Sequence, residues 1–171
     1  MKKLKSFLWG WIVPVLVAFI LAMLIKQFIF FNINVPTASM YPTIKPEDRI
    51  AVTRIYNKSK LKRGDIVVFH SKELNEDLVK RLIGLPGETV EVSEDGKVTV
   101  NGTLLKQQYV VYNGGKGGSY KVPQDSYFFL GDNRGDSKDS RYWNNPYIDK
   151  KDIMGIARIV LYPFNRFGTL K

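Results

Sequence analysis

The chain has 171 residues, a formal net charge of +10 and a hydrophobic fraction of 44%, within the range of globular proteins. A chain of this length predicts one domain, or one small domain with an appendage. It contains no cysteine, which excludes disulfides, thiolate zinc sites and cysteine nucleophiles such as those of papain-like enzymes. The single histidine, His70, excludes a multi-histidine metal site and leaves one candidate base for a serine triad.

Residues 7–25 have the pattern of a membrane anchor. They contain no charged residue and follow three lysines in the first five positions. At about 1.5 Å of rise per residue, a helix over this segment nearly spans a hydrocarbon core of about 30 Å. Residues 28–31 extend the span if the Lys26 side chain reaches the membrane surface. A cleaved secretory signal peptide is the alternative, but its apolar region is shorter and ends in a small-x-small site, which is not found here.

Lysines without an acidic residue before the anchor favour a cytoplasmic N-terminus. We therefore predict three regions: a basic cytoplasmic N-terminus at 1–6, a transmembrane anchor at 7–31 and an extracytoplasmic domain at 32–171. Four of the 26 basic residues lie at or before Lys26, which leaves 22 basic against 16 acidic residues in the rest of the chain. These charges are scattered, whereas a nucleic-acid-binding domain has clustered basic residues. The surplus is better explained by attraction to an anionic lipid surface.

Beyond the anchor, short apolar segments alternate with turn signals, which is typical of a β-protein. Asp95-Gly96 and Asn101-Gly102 are dipeptides that favour hairpin turns. Regular short strands with such turns favour an antiparallel barrel or sandwich over a parallel sheet. The predicted strands span residues 49–55, 65–70, 88–92, 97–100, 126–130 and 153–160.

Two isolated residues could carry chemistry. Ser39 lies between Pro36 and Pro42, in a segment predicted to be extended and turned, and could act as a nucleophile, although a linker serine would have the same surroundings. Lys80 has Val79 and Leu82 near it, and burial on the apolar side of a strand would lower its pKa. A solvent-facing lysine is the alternative. Taken one at a time, neither residue identifies a function.

The polar loop 131–141 contains three aspartates, as a calcium-binding loop does. Counted from Asp132, the third position is Arg134 and the twelfth is Trp143, where that loop requires an oxygen ligand and a glutamate. The tripeptide at 134–136 matches an adhesion motif but is too short to indicate a function. The sequence therefore predicts no metal site and no cofactor.

Four segments in this order resemble one family. They are Ser-Met-x-Pro-Thr from Ser39, Gly-Asp-Ile-Val-Val-Phe from Gly64, Lys-Arg-Leu-Ile-Gly-Leu-Pro-Gly-Glu from Lys80, and Gly-Asp-Asn-Arg from Gly131 followed by Ser-x-Asp-Ser-Arg. Together with the N-terminal anchor, they resemble the type I bacterial signal peptidases, which are membrane-anchored leader peptidases of the Ser/Lys class. The resemblance covers nearly the whole chain. The single anchor and compact size are similar to the Gram-positive form.

The resemblance implies a mainly β fold, with an N-terminal transmembrane helix followed by an antiparallel barrel- or sandwich-like catalytic domain. It implies a serine endopeptidase that removes N-terminal signal peptides from secreted preproteins by cleaving after small residues, at sites of the Ala-x-Ala type. The implied location is the bacterial plasma membrane, in a single pass with the N-terminus in the cytoplasm. The implied partners are preproteins and the lipid bilayer, with no nucleic acid, and the enzyme is expected to be monomeric.

The resemblance also implies roles for individual residues. Ser39 would be the nucleophile and neutral Lys80 its general base, while the Ser39 backbone N–H and the Thr37 hydroxyl would form the oxyanion hole. Ser137 would orient the lysine. Structural support of the site is implied for Arg81, Asp132, Asp139 and Arg141. Substrate pockets are implied for Ile33, Val35, Met40, Ile44, Leu78 and Val79.

Two other functions remain open from the sequence. A dedicated peptidase of the pilin or conjugation type would carry the same Ser/Lys motifs with a narrower substrate range. A non-enzymatic, membrane-tethered β-domain would bind a partner, but it gives no reason for Ser39, Lys80 and Ser137 to fall in matching segments. A self-cleaving repressor of the same fold is cytosolic, which the predicted anchor argues against.

Overall fold

The N-terminal part of the protein is one long helix, α1 (Lys2–Phe28), with Pro14 inside it. The computed structural model describes residues 2–170, with side chains from residue 9 onward. The segment Trp9–Phe28 has a mean hydropathy of 2.2, and none of it is buried within the protein. By length and composition, this helix can cross a membrane. It ends before Phe30 and Phe31, which the sequence placed in the anchor and which instead lie in the first strand.

The described residues after the helix form mainly β-structure. The strands in chain order are β1 (Phe30–Asn34), β2 (Arg49–Arg54), β3 (Ile66–Ser71), β4 (Glu76–Gly84), β5 (Thr89–Val92), β6 (Val98–Val100), β7 (Thr103–Leu104), β8 (Gly118–Lys121), β9 (Ser126–Leu130), β10 (Ile148–Asp149), β11 (Ile153–Tyr162) and β12 (Gly168–Thr169). Short 3-10 helices cover Lys58–Lys60, Arg134–Asp136, Lys150–Asp152 and Phe164–Arg166.

The strands pair into two antiparallel sheets. The larger has the order β1-β2-β11-β3-β4-β9-β10, with β12 on β11, and the smaller has the order β7-β6-β5-β8. The predicted mainly β, antiparallel architecture is therefore confirmed. Each of the six strands predicted from the sequence is present, with ends that differ by at most two residues.

Alternate residues of the central strands contact different hydrophobic clusters. Ile66 and Val68 pack in one cluster, and Val67 and Phe69 pack in another, because successive side chains of a strand point to opposite faces of the sheet. A third cluster joins the smaller sheet to β4 and β9. The central strands are therefore covered on both faces.

Strand β4 carries Lys80. The alternation of apolar and polar residues did not predict this strand. Its residues from Val79 to Gly84 are all buried, so no alternation is visible over that stretch. The charged residues Lys80 and Arg81 interrupt the apolar segment that a strand covered on both faces usually produces. Strand β4 lies between β3 and β9 in the larger sheet, and both charged side chains are buried.

Candidate active site

Ser39 and Lys80 are in direct contact, although they are far apart in the chain. Lys80 Nζ donates a hydrogen bond of 2.6 Å to Ser39 Oγ. Both residues are buried, with 6% of Ser39 and 3% of Lys80 exposed. A base must lie within about 2.6–3.2 Å of the group from which it takes a proton, and this pair meets that requirement.

Burial lowers the pKa of Lys80 from an ordinary value of 10.5 to about 8. The negative charges of Asp139, Glu76 and Asp132 act in the opposite direction and limit this decrease. Among the residues that the structure describes, no carboxylate forms a salt bridge with Lys80. The amine is therefore neutral in a useful fraction of molecules near neutral pH, as a general base requires.

The segment that carries Ser39 is held against the larger sheet. Ile44 N–H donates to Met40 O at 2.9 Å, and both side chains are fully buried in the same hydrophobic cluster. On the other side, Asn133 N–H donates to Ser39 O at 3.1 Å, and its side-chain amide donates to Ala38 O at 3.2 Å. Contacts on two sides thus set the position of the Ser39 hydroxyl.

Thr37 is the hydroxyl-bearing neighbour of Ser39. Its Oγ1 lies 3.3 Å from Ser39 Oγ, and either oxygen can be the donor. Thr37 is exposed and lines the same cleft as Ser39. Its hydroxyl can therefore contact a group that is bound at the Ser39 oxygen.

Two buried ion pairs hold the loop 131–141. Arg81 donates to both carboxylate oxygens of Asp132, at 2.8 and 2.6 Å. Arg141 does the same with Asp139, at 2.8 and 2.9 Å, and Asp139 also accepts from the Gly131 N–H at 2.9 Å. The first pair fixes the loop to β4, and the second holds the loop in its own conformation.

Ser137 lies in the site but does not make the contact that the resemblance implies. It is 4% exposed, and its Oγ has no hydrogen-bond partner in the described part of the chain. A Cβ placed on Gly131 would lie 2.2 Å from Ser137 Oγ and 2.4 Å from Ser39 O. Ser137 is therefore close to the Ser39 segment, while its hydroxyl is not bonded to Lys80.

A cleft of about 280 Å³ opens beside Ser39 and Lys80. Four of the six predicted pocket residues line it, namely Ile33, Val35, Leu78 and Val79. Met40 and Ile44 do not line it, because the turn that they form directs them into the core beneath. Sequence reasoning missed Val68, which lines the cleft from the neighbouring strand and pairs with Val79. That cross-strand register could not be read from the sequence.

One edge of β4 is open along this cleft. Strand β3 pairs with β4 from Glu76 to Arg81, whereas β9 pairs with it only from Arg81 onward. Residues 76–80 line the cleft on the side where the described strands offer no second partner. An extended peptide can add to such an edge through backbone hydrogen bonds.

Comparison with known proteins agrees with this arrangement. Residues 8–162 match the family model of signal peptidase, peptidase S26. A signal peptidase I from Leptolyngbya laminosa is 41% identical over 161 residues, which cover 88% of this chain and 78% of that protein. Signal peptidase I P from Bacillus subtilis subsp. natto is 38% identical over an alignment of 182 positions, which covers 99% of this chain and 97% of that protein.

A solved structure is similar as well. The crystal structure of a signal peptidase I from Enterococcus faecalis V583 is 34% identical in sequence and has a TM-score of 0.51. The match covers 57% of this chain and 96% of that chain. On this evidence, the chain belongs to the signal peptidase I family, S26, and is a serine endopeptidase of the class that removes signal peptides.

Proposed function

We propose that the chain is a membrane-anchored signal peptidase in which Ser39 is the nucleophile and Lys80 the general base. The observation that carries this proposal is the buried contact of 2.6 Å between Ser39 Oγ and Lys80 Nζ. A serine hydroxyl is a weak nucleophile until a base takes its proton. The pKa of about 8 at Lys80 makes the lysine suitable for that role.

The reaction follows from the positions of these groups. Neutral Lys80 takes the proton of Ser39 as its Oγ attacks the scissile carbonyl carbon. The oxyanion that forms accepts hydrogen bonds from the Ser39 N–H and the Thr37 hydroxyl. The Lys80 ammonium then donates its proton to the leaving amine, which departs and leaves an acyl group on Ser39. Water, deprotonated by Lys80, attacks that ester, and the Lys80 ammonium returns the proton to Ser39 Oγ as the acyl product leaves.

The other residues act through these two. We assign Arg81, Asp132, Asp139 and Arg141 to structural support, because they fix the loop beside Lys80. Ser137 is assigned to orienting the lysine. Its hydroxyl is buried and has no hydrogen-bond partner among the described residues, so it is free to donate to or accept from the amine.

The cleft favours extended substrates with small side chains. We place the peptide that precedes the scissile bond along the open edge of β4, with the walls formed by Ile33, Val35, Leu78 and Val79. A volume of about 280 Å³ shared among several substrate residues excludes bulky groups. Because the exclusion is steric, discrimination among small residues is modest. Cleavage after Ala-x-Ala is the expected specificity.

Anchoring by α1 would place enzyme and preprotein in the same bilayer and raise their effective concentration. We propose a single pass, with residues 1–6 in the cytoplasm and the catalytic domain from residue 32 outside it, in a monomeric enzyme. The apolar segment Trp9–Phe28 and the three lysines that precede it support this orientation.

The test uses the full chain in lipid nanodiscs and a preprotein with an Ala-x-Ala site. Mass spectrometry should locate a single cut after the second alanine, and the cut should be absent with Ser39→Ala. Residual cleavage by a folded Ser39→Ala variant would contradict the proposed nucleophile. If folded wild-type protein leaves a panel of preproteins uncut, the result favours a dedicated peptidase with a narrower substrate range, or the tethered binding domain, over a general signal peptidase.

A further inference from the structure

A groove of about 510 Å³ lies where α1 meets the larger sheet. Arg54 Nε donates to Gln27 O at 3.1 Å, and Tyr56 OH donates to Phe28 O at 2.7 Å. The end of β2 is therefore fastened to the last turn of the helix. The described residues that line the groove include two cations and no acidic side chain; they are Gln27, Phe28, Arg54, Ile55, Tyr56, Lys58, Ile153 and Met154.

The two cations of this groove are not neutralised by the protein. Lys58 Nζ donates to the carbonyls of Ile55 and Ile153, and the Arg54 guanidinium lies 4.8 Å from the centre of the Phe31 ring. Among the described residues, neither forms a salt bridge with a carboxylate. Burial lowers the pKa of Lys58, which is the effect of a partly desolvated cation without a counter-charge.

The surrounding segment adds to the positive charge. Residues 54–63 contain five basic residues and no acidic one. One of them, Arg63, is paired with Glu88, whereas Lys60 and Lys62 are exposed beyond the groove. Lys58 also borders a second hollow with Lys150, Lys151, Asp125 and Asp149, so basic residues outnumber acidic ones on that side as well.

The groove is also at the depth where lipid phosphates lie. The apolar segment Trp9–Phe28 has 20 residues and is about 30 Å long as a helix, which equals the thickness of the hydrocarbon core. Its C-terminal end at Phe28 is therefore at the boundary with the headgroups. Tyr56 is 74% exposed beside this end, and tyrosine is enriched at membrane interfaces.

We propose that this groove binds the phosphate of an anionic phospholipid of the outer leaflet, with Arg54 and Lys58 as the ligands. Lys60 and Lys62 extend the positive field around it. The proposal rests on the membrane anchoring of α1 proposed above. Strand β1 leads from the groove directly to the Ser39 segment and is five residues long, or about 17 Å at about 3.3 Å per residue. A lipid held here would set the height of the active site above the membrane.

The experiment compares the thermal stability of the wild-type full chain with that of variants in which two basic residues are replaced by glutamine. All are measured in detergent micelles. Short-chain phosphatidylglycerol should raise the Tm of the wild type more than phosphatidylcholine does, because a ligand that binds the folded state stabilises it. The Arg54→Gln/Lys58→Gln variant should lose most of that difference. The Lys106→Gln/Lys121→Gln variant removes the same charge outside the groove and should keep it. In the wild type, added salt should reduce the difference between the Tm increases caused by phosphatidylglycerol and phosphatidylcholine.

Each other outcome overturns the proposal. Equal Tm increases with the two lipids, or an undiminished difference in a folded groove variant, would show that the groove has no headgroup site. An equal increase with inorganic phosphate at matched ionic strength would show a site for free phosphate instead of lipid. If the double variant does not fold, Arg54→Gln alone is used, and it must reduce the difference.

A separate partitioning measurement tests the membrane anchoring on which this proposal rests. Full-length protein that does not partition into vesicles of phosphatidylcholine alone would contradict anchoring by α1. Protein that partitions into them but shows no preference for phosphatidylglycerol would contradict only the headgroup site. Neither measurement depends on peptidase activity.

Discussion

Arg81 and Asp132 form a buried, two-hydrogen-bond ion pair that joins strand β4 to the loop that follows β9. Arg81 is the residue next to Lys80, and its guanidinium also donates to Gly64 O at 2.8 Å. Asp132 in addition accepts from the Thr43 hydroxyl at 2.5 Å. The segments that carry Ser39 and Lys80 and the loop that carries Ser137 are thus connected through one carboxylate.

Removal of one partner of this pair should strongly destabilise the protein. Arg81→Leu leaves the Asp132 carboxylate buried and unpaired, which costs about 3–5 kcal/mol. Urea unfolding measures the loss. Lys97→Gln is the control, because it breaks the exposed Lys97–Asp95 pair and should change the free energy of unfolding little. Similar small losses in both variants would contradict a supporting role for the buried pair.

Activity should rise with pH as Lys80 loses its proton. Because its pKa is about 8 in the folded protein, kcat/KM should increase about tenfold per pH unit below that value and level off above it. The measurement is a series of initial rates on one preprotein between pH 6 and pH 10. A flat profile through this range would exclude Lys80 as the base.

The same pKa predicts a pH-dependent cost in stability. Between pH 8 and 10.5 the unfolded chain binds more protons than the folded one, so the stability of the wild type rises with pH in this window. At neutral pH, keeping Lys80 charged in its buried site lowers the free energy of unfolding by roughly 3 kcal/mol. The hydrogen bond between Lys80 and Ser39 raises it by roughly 1 kcal/mol. Lys80→Met should therefore be more stable than the wild type by roughly 2 kcal/mol at neutral pH.

Urea unfolding at several pH values tests that difference, which should shrink as the pH approaches 10.5. Lys106→Met replaces an exposed lysine and serves as the control for the effect of the substitution itself. A difference between Lys80→Met and the wild type that stays constant over the window would mean that Lys80 does not titrate there.

Thr37→Val should reduce catalysis more than substrate binding. The substitution keeps the shape of the side chain but removes the hydroxyl near Ser39 Oγ, and loss of one oxyanion donor costs about 10²–10³-fold in kcat. KM should change little, since the oxyanion exists only after attack. Thr37→Ser restores a hydroxyl and should retain most of the activity. An unchanged kcat in Thr37→Val would remove Thr37 from the oxyanion hole.

Gly131→Ala should disturb the site through a steric clash. The added Cβ would lie 2.4 Å from Ser39 O and 2.2 Å from Ser137 Oγ, so the Ser39 backbone must move. We expect kcat to fall at least tenfold, because small displacements of a catalytic group are costly. Gly135→Ala is the matched control in the same loop, where the nearest atom is at an ordinary 3.5 Å. Equal activities of the two variants would contradict the predicted clash at residue 131.

The sequence by itself was sufficient for the features that depend on local composition. The N-terminal helix is visible as an uninterrupted apolar segment, because a helix that can cross a membrane needs only length and hydrophobicity. Strands such as β5 and β6 are visible because one face of each is exposed, so that apolar and polar residues alternate along 89–92 and 98–100. The ordered motifs around Ser39 and Lys80 were enough to identify the family.

The tertiary structure decided what depends on contacts between distant segments. It brought Ser39 Oγ to 2.6 Å from Lys80 Nζ, buried Met40 and Ile44 instead of exposing them in the cleft, and left the Ser137 hydroxyl without a bond to the lysine. The low pKa of Lys80 also arises at this level, because desolvation depends on every element packed around the amine. Residue types specify which groups are present, whereas register and packing specify which of them meet.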